Sequence, residues 1–175
     1  LDSAVDELVL HGNSDPGEVR PRIAGAEAVI VNKVVLDRDT LESAPALRLI
    51  CVAATGVNNV DLEAARERGI TVTHCRDYGT DSVAQHTLAL MLTLATNLTA
   101  YRQGVTAGRW GRSEFFCLLD HPIMELAGKQ LGIIGLGTLG GRVAELARAF
   151  GMTVRVAQRP GSAGGDGDRM PLDTL

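Results

Sequence analysis

Aromatic residues make up only 3% of the 175-residue chain. So few flat rings leave no platform for stacking bases. With a net charge of −4 and a pI near 5.5, they argue against a nucleic-acid partner. Cysteine is equally sparse: Cys51, Cys75 and Cys117 are odd in number and widely spaced. That excludes a disulfide framework and suits a reducing cytoplasm, the expected location. His74 and Cys75 are adjacent rather than at ligand spacing, so no metal site is expected. No basic segment followed by an apolar core opens the chain, which argues against a secretory signal. The most apolar stretch, Val83 to Leu98, is interrupted by Gln85, His86 and Asn97. It falls short of a membrane span, so a buried helix is expected there and no membrane partner.

What remains is an ordinary composition, 45% hydrophobic and 22% charged. A chain of this length can bury about 70% of its unfolded surface, enough for one domain or two small ones. Strand and helix signals alternate. Leu8 to His11 reads as a short strand. Asp15-Pro16-Gly17-Glu18 opens a helix, with Asp as N-cap, Pro at the first position and Glu placed for a capping box. Ala28 to Val31 and Leu47 to Ala54 are continuous apolar strands, with a short helix over Asp39 to Ala44 between them. Asp61 caps a helix over Leu62 to Arg68, Gly69 ends it, and Ile70 to Thr73 is a further strand. Such alternation with short loops calls for parallel sheets flanked by helices, an α/β fold. Ligands in such sheets sit beyond the carboxyl ends of strands, here Asn32-Lys33 and Ala54 to Asn58.

A long helix is expected from Ser82 to Ala107, enclosed on most sides. Gly108 to Leu126 follows without periodicity but holds Trp110, Phe115 and Phe116. An apolar loop of that length needs a partner surface, and a homodimer is expected. Gly161 to Asp168 is low in complexity and expected to be mobile. Both ends look cut, with a further helix starting near Met170.

The most informative stretch is Lys129 to Gly161. Gln130 to Ile134 reads as a strand buried on both faces. Gly135-Leu136-Gly137-Thr138-Leu139-Gly140 has the G-x-G-x-x-G spacing. Leu139, Val143, Leu146 and Ala147 recur on one helical face, Gly151 stops the helix, and Met152 to Ala157 is a second strand. In this context Gly135 permits a tight turn, Gly137 admits a pyrophosphate, and Gly140 lets helix and strand pack closely. The helix N-terminus adds free N–H groups and about half a positive charge. Only two strands of this sheet are expected in the chain.

The second strand ends Val156-Ala157-Gln158-Arg159, with no carboxylate at its tip. A carboxylate there would accept from the 2′-hydroxyl of NAD and repel the 2′-phosphate of NADP. Arg159 is free to pair with that phosphate. One charge-assisted hydrogen bond, about 1.5–3 kcal/mol, corresponds to about a ten- to hundredfold preference for NADP. In the NAD alternative, Gln158 bonds the ribose hydroxyl and Arg159 stays in solvent.

These blocks together resemble the D-isomer-specific 2-hydroxyacid dehydrogenases, in particular the glycerate dehydrogenase and hydroxypyruvate reductase branch. The likeness is carried by AVIVNK (28–33), VAATGVNNVDLEAARERGITVTH (52–74), RDYGTDSVAQHTLALML (76–92) and DHPIMELAGKQLGIIGLGTLGGRVAELARAFGM (120–152). The resemblance implies two parallel-sheet lobes: a flavodoxin-like substrate lobe over residues 1–77 and a Rossmann cofactor lobe over 78–175, incomplete in this chain. The helix over 82–107 would cross between the lobes, and the loop after it would join a dimer interface. By matching position, Thr55 and Gly56 would meet nicotinamide and substrate carboxylate through backbone N–H groups. Val83 would touch the nicotinamide half, and Thr138 and Leu139 would bind pyrophosphate. Gln158 stands where NAD-preferring members usually carry Asp, in agreement with the charge reading.

The implied reaction moves a hydride between NAD(P)H and a small 2-oxo acid of the glyoxylate or hydroxypyruvate kind. It needs a proton donor and a cation for the carboxylate. The family's His, Glu and Arg for these tasks are implied to lie beyond residue 175, so no catalytic residue is assigned. His86 reads as a core histidine, and His74, His121 and His11 as structural or solvated. Arg76, Arg102, Arg109 and Arg112 read as surface or interface charges, and Asn32 and Lys33 as substrate neighbours. Two alternatives stand beside the enzyme: a dinucleotide-sensing regulator of corepressor type, and an inactive fragment.

Overall fold

Short aspartate side chains set where the first helices begin. The computed structural model describes residues 6–158 and 169–175; Arg159 and the 161–168 stretch lie outside them. Helix α1 (Pro16–Ile23) starts after Asp15, whose N–H donates to the Glu18 carboxylate at 2.9 Å. Helix α2 (Arg38–Glu42) is earlier and shorter than expected. Asp37 is its cap, accepting from the Thr40 N–H at 2.9 Å through Oδ1. Helix α3 (Leu62–Glu67) is capped as expected: Asp61 Oδ1 accepts from Ala64 N–H at 2.9 Å. Gly69, at φ +69°, then turns the chain into the next strand.

The chain forms two compact units, Leu1–Asp77 and Tyr78–Leu175. In the first, strands β1 (Ala28–Val31), β2 (Leu49–Val52) and β3 (Thr71–His74) form a parallel sheet in that order. The central strand β2 carries the core residues Ile50 and Val52, which pack with Leu36 and Leu41 and are essentially inaccessible to solvent. Each such side chain contributes about 1.5–3 kcal/mol by leaving water. The expected strand at Leu8 to His11 does not form. Val9 and Leu10 are exposed, and no ladder partner for them exists among the described residues.

In the second unit, β4 (Gln130–Ile133), helix α6 (Thr138–Ala149) and β5 (Thr153–Ala157) follow one another as read from sequence, β4 and β5 running parallel. A third parallel strand, β6 (Arg169–Met170), pairs with β5, so the expectation of two strands is corrected to three. Near Met170, where a helix is expected to start, Leu172–Thr174 forms a 3₁₀ turn. Strand β4 is not buried on both faces. It lies at the sheet edge among the described strands, and Ile134 just beyond it is 72% exposed.

The long helix is two helices, α4 (Thr80–Ala95) and α5 (Leu98–Thr106). Asn97 breaks them apart with a left-handed backbone, φ 50° and ψ 36°, which asparagine tolerates better than most residues. Its Nδ2 donates to Pro122 O at 2.6 Å. Nor is α4 enclosed: Ala84, Leu88 and Ala95 are buried, but Val83, Leu90 and Leu94 are exposed. His86 is exposed as well, two residues and about 200° around the helix from Ala84, so it is not a core histidine. Among the described residues, no helix is long and apolar enough to cross a membrane.

Candidate functional site

In the second unit, β4 runs straight into a corner. Gly135 takes φ +93°, a left-handed conformation that a side chain would strain, and turns the chain from strand to helix. A Cβ on Gly140 would stand 2.1 Å from the Gly135 carbonyl oxygen and 3.3 Å from Ile133 Cγ2. Helix α6 therefore packs against the turn at a distance only glycine permits. Gly137 is the N-cap, and no atom lies within 4 Å of where its Cβ would stand.

The ladder of α6 closes first at Gly141, whose N–H donates to Gly137 O at 2.7 Å. The N–H groups of Thr138, Leu139 and Gly140 precede it. No side chain caps them, and the first turn holds no acidic residue. Three donors without acceptors among the described residues thus stand at the positive end of a twelve-residue helix, an arrangement suited to a diphosphate.

Helix α4 packs along α6 in the same unit. Arg142 donates from Nε to Asp81 at 2.9 Å and from Nη1 to Glu145 at 2.7 Å. Glu145, and then Asp81, hold its guanidinium above its ordinary pKa. The pair fastens the first turn of α4, where Val83 is 44% exposed, beside the start of α6. Gln158 stands just past the tip of β5, its N–H donating to Met170 O at 2.7 Å. Arg159, the expected phosphate partner, lies outside the described residues.

In the first unit, Thr55 and Gly56 are exposed in the turn beyond the carboxyl end of β2. Among the described residues neither N–H has an acceptor. The turn is anchored at its far side by Asn59, whose Nδ2 donates to Val34 O at 2.8 Å. At its near side His74 Nδ1 meets Thr55 O at 2.8 Å, a contact that the sequence reading assigned to neither residue. No sequence signal marks it, because β2 and β3 bring together residues 19 apart. Asn32 and Lys33 are exposed beyond β1. Arg109 pairs with Asp120 at 2.8 Å, and Arg112 donates to Ala107 O at 2.7 Å, both surface roles. His121 packs edge-on against Tyr101, with ring centroids 5.4 Å apart.

A parallel α/β chain with a glycine-cornered strand–helix junction and an uncapped helix start defines a dinucleotide-binding class of fold. Residues 1–161 match the model of the D-isomer specific 2-hydroxyacid dehydrogenase catalytic domain. The chain belongs to that family. It is 45% identical over 139 residues to a glycerate dehydrogenase of Methylorubrum extorquens, covering 79% of this chain and 44% of that protein. It thus spans less than half the length of that relative. A Thermus thermophilus protein, TT0316, superposes with a TM-score of 0.74 at 32% identity, covering 96% of this chain and 52% of that one. A D-lactate dehydrogenase of Aquifex aeolicus, crystallised with NAD and lactic acid, gives 0.65 at 31% identity, covering 84% and 42%.

Proposed function

We propose that the chain carries the dinucleotide cradle and the carboxylate-binding turn of an NADP-preferring reductase of small 2-oxo acids, of the glyoxylate or hydroxypyruvate kind. One observation carries it: the corner at Gly135–Gly140, which leaves three N–H groups at the start of α6 without acceptors among the described residues. In this reading residues 78–175 bind cofactor and 1–77 bind substrate. A bound nicotinamide dinucleotide supplies the hydride. Thr138 and Leu139 hold its diphosphate by backbone N–H, and Gly137 keeps the approach clear. Val83 offers an apolar surface to the nicotinamide half. Gln158, with Arg159 after it, receives the adenosine ribose; the missing carboxylate favours a 2′-phosphate. The N–H groups of Thr55 and Gly56 orient nicotinamide and substrate carboxylate.

The enzyme reading is supported by the glycerate dehydrogenase likeness, which gives no support to the corepressor alternative. The homodimer belongs to the same reading. Trp110, Phe115, Phe116, Leu119 and Ile123 are all more than half exposed on one short stretch of chain, an apolar surface suited to a second copy. Fluorescence titration of the chain with NADPH and NADH tests the cofactor. NADPH is expected to bind about ten- to a hundredfold more tightly. Equal or reversed affinities reject the preference, and no binding of either rejects the cradle.

A further inference from the structure

The Thr55–Gly56 peptide is held from behind by a polar relay to which the roles proposed above assign no residue. The carbonyl oxygen of Thr55 can only accept, so His74 Nδ1, 2.8 Å away, must carry the hydrogen. On the ring's other side Arg76 Nε lies 3.4 Å from His74 Nε2, and a guanidinium can only donate. The two partners together select the tautomer with its hydrogen on Nδ1. The Thr55–Gly56 peptide is trans, as are all peptides among the described residues, so the C=O of Thr55 and the N–H of Gly56 point in opposite directions from one rigid plane. One residue earlier the Ala54 carbonyl is also engaged from the β3 side, by the Cys75 N–H at 3.1 Å. Both carbonyls face β3, and the N–H groups of Thr55 and Gly56 are turned away from it, exposed and without acceptors among the described residues.

We infer that His74, backed by Arg76, is a positioning residue that presents the Gly56 N–H to the substrate's carboxylate. The donors line up head to tail: Arg76 Nε–H to His74 Nε2, His74 Nδ1–H to Thr55 O, and then the Gly56 N–H outward. Aligned hydrogen bonds polarise one another, so the relay carries part of the guanidinium's charge to the outer N–H. It also prevents the peptide from turning over, which would aim a carbonyl at the anion. This inference rests on the carboxylate role proposed above for Thr55 and Gly56.

The test is nitrogen-15 NMR of the chain, with glyoxylate as the added 2-oxo acid. The His74 ring is expected to show the Nδ1–H tautomer, and glyoxylate to shift the Gly56 amide. His74→Leu should weaken that response about fivefold. His74→Asn, whose amide nitrogen can take the place of Nδ1, should restore most of it. Unchanged amide signals from β1 and α3 show that both variants fold. An Nε2–H tautomer overturns the inference, as does an unaltered Gly56 titration in His74→Leu. A wild-type Gly56 amide that ignores glyoxylate while His74 keeps the Nδ1–H form would instead sink the carboxylate role and leave the clamp standing.

Discussion

Among the described residues, the first unit gathers thirteen buried apolar side chains into one cluster, whereas the main cluster of the second holds four. Both are built from the same parts, short parallel strands and helices with local start and stop signals. They differ in what covers them. In the first unit the helices close over β2, and Ile50, Leu36 and Leu41 are completely enclosed. In the second, Leu94 is 78% and Phe116 92% exposed, and β4 stands at a sheet edge. Propensity made the elements of both units equally well. The first builds the larger enclosed core from its own residues, so its stability should reside there, and that of the second more in close backbone fits.

The largest expected effect breaks a backbone fit. Gly140→Val forces a side chain into the Gly135 carbonyl, which belongs to the backbone and cannot swing aside. It should destabilise the second unit by roughly 4 kcal/mol or more and abolish dinucleotide binding, read by the fluorescence of Trp110, the single tryptophan. Gly141 next to it has no atom within 4 Å of a would-be Cβ. Gly141→Ala should stabilise by about 0.5–1 kcal/mol, because alanine loses less backbone freedom in a helix. If both substitutions act alike, the close fit at Gly140 is not what holds the corner.

Next comes the enclosed core. Ile50→Ala should cost about 3 kcal/mol, since the cavity beneath α-helices and neighbouring strands cannot collapse freely. Urea unfolding followed by circular dichroism reads it; a loss below about 1 kcal/mol would show the first unit to be loosely packed after all. Phe116→Ser sharpens the contrast from the other side. It should change folding stability by less than about 0.5 kcal/mol, yet shift the sample from dimer to monomer by light scattering at micromolar concentration.

The smallest effect is electrostatic and confined to the first unit. Arg38 donates to Glu67 at 2.6 Å and holds that carboxyl below its ordinary pKa. A lowered folded-state pKa stabilises above the unfolded value, and the gain disappears as pH falls through the folded one. Glu67→Gln should therefore lower the urea midpoint slightly at neutral pH and leave it unchanged in strong acid. Both side chains are about half exposed, so added salt should shrink the difference further.

Much of the framework was legible because its causes are local. Asp61 capping α3, the glycine corner at 135–140 and the strand at Ala28–Val31 each follow from residues within a few positions of one another. What escaped depends on neighbours distant in sequence. Leu8 to His11 has strand-forming residues but no strand to pair with among the described residues. Gln130 to Ile134 reads as doubly buried from composition, yet burial depends on what flanks it. Asn97 reads in sequence only as a polar interruption, because its left-handed turn draws on a contact 25 residues away. His74 looked structural or solvated, and its tie to Thr55 appears only when β2 and β3 are laid in register.

That single asparagine has a consequence for everything after it. Its side-chain amide reaches the carbonyl of Pro122, and the hydroxyl of Tyr101, one turn into α5, reaches that of His121. The bend and the irregular stretch beyond it are thus moored together at two adjacent peptides. A residue with no taste for the left-handed basin would straighten the rod and cast off the first mooring. The aromatic arm would then hang by the Tyr101 tie alone, although none of its own residues had changed.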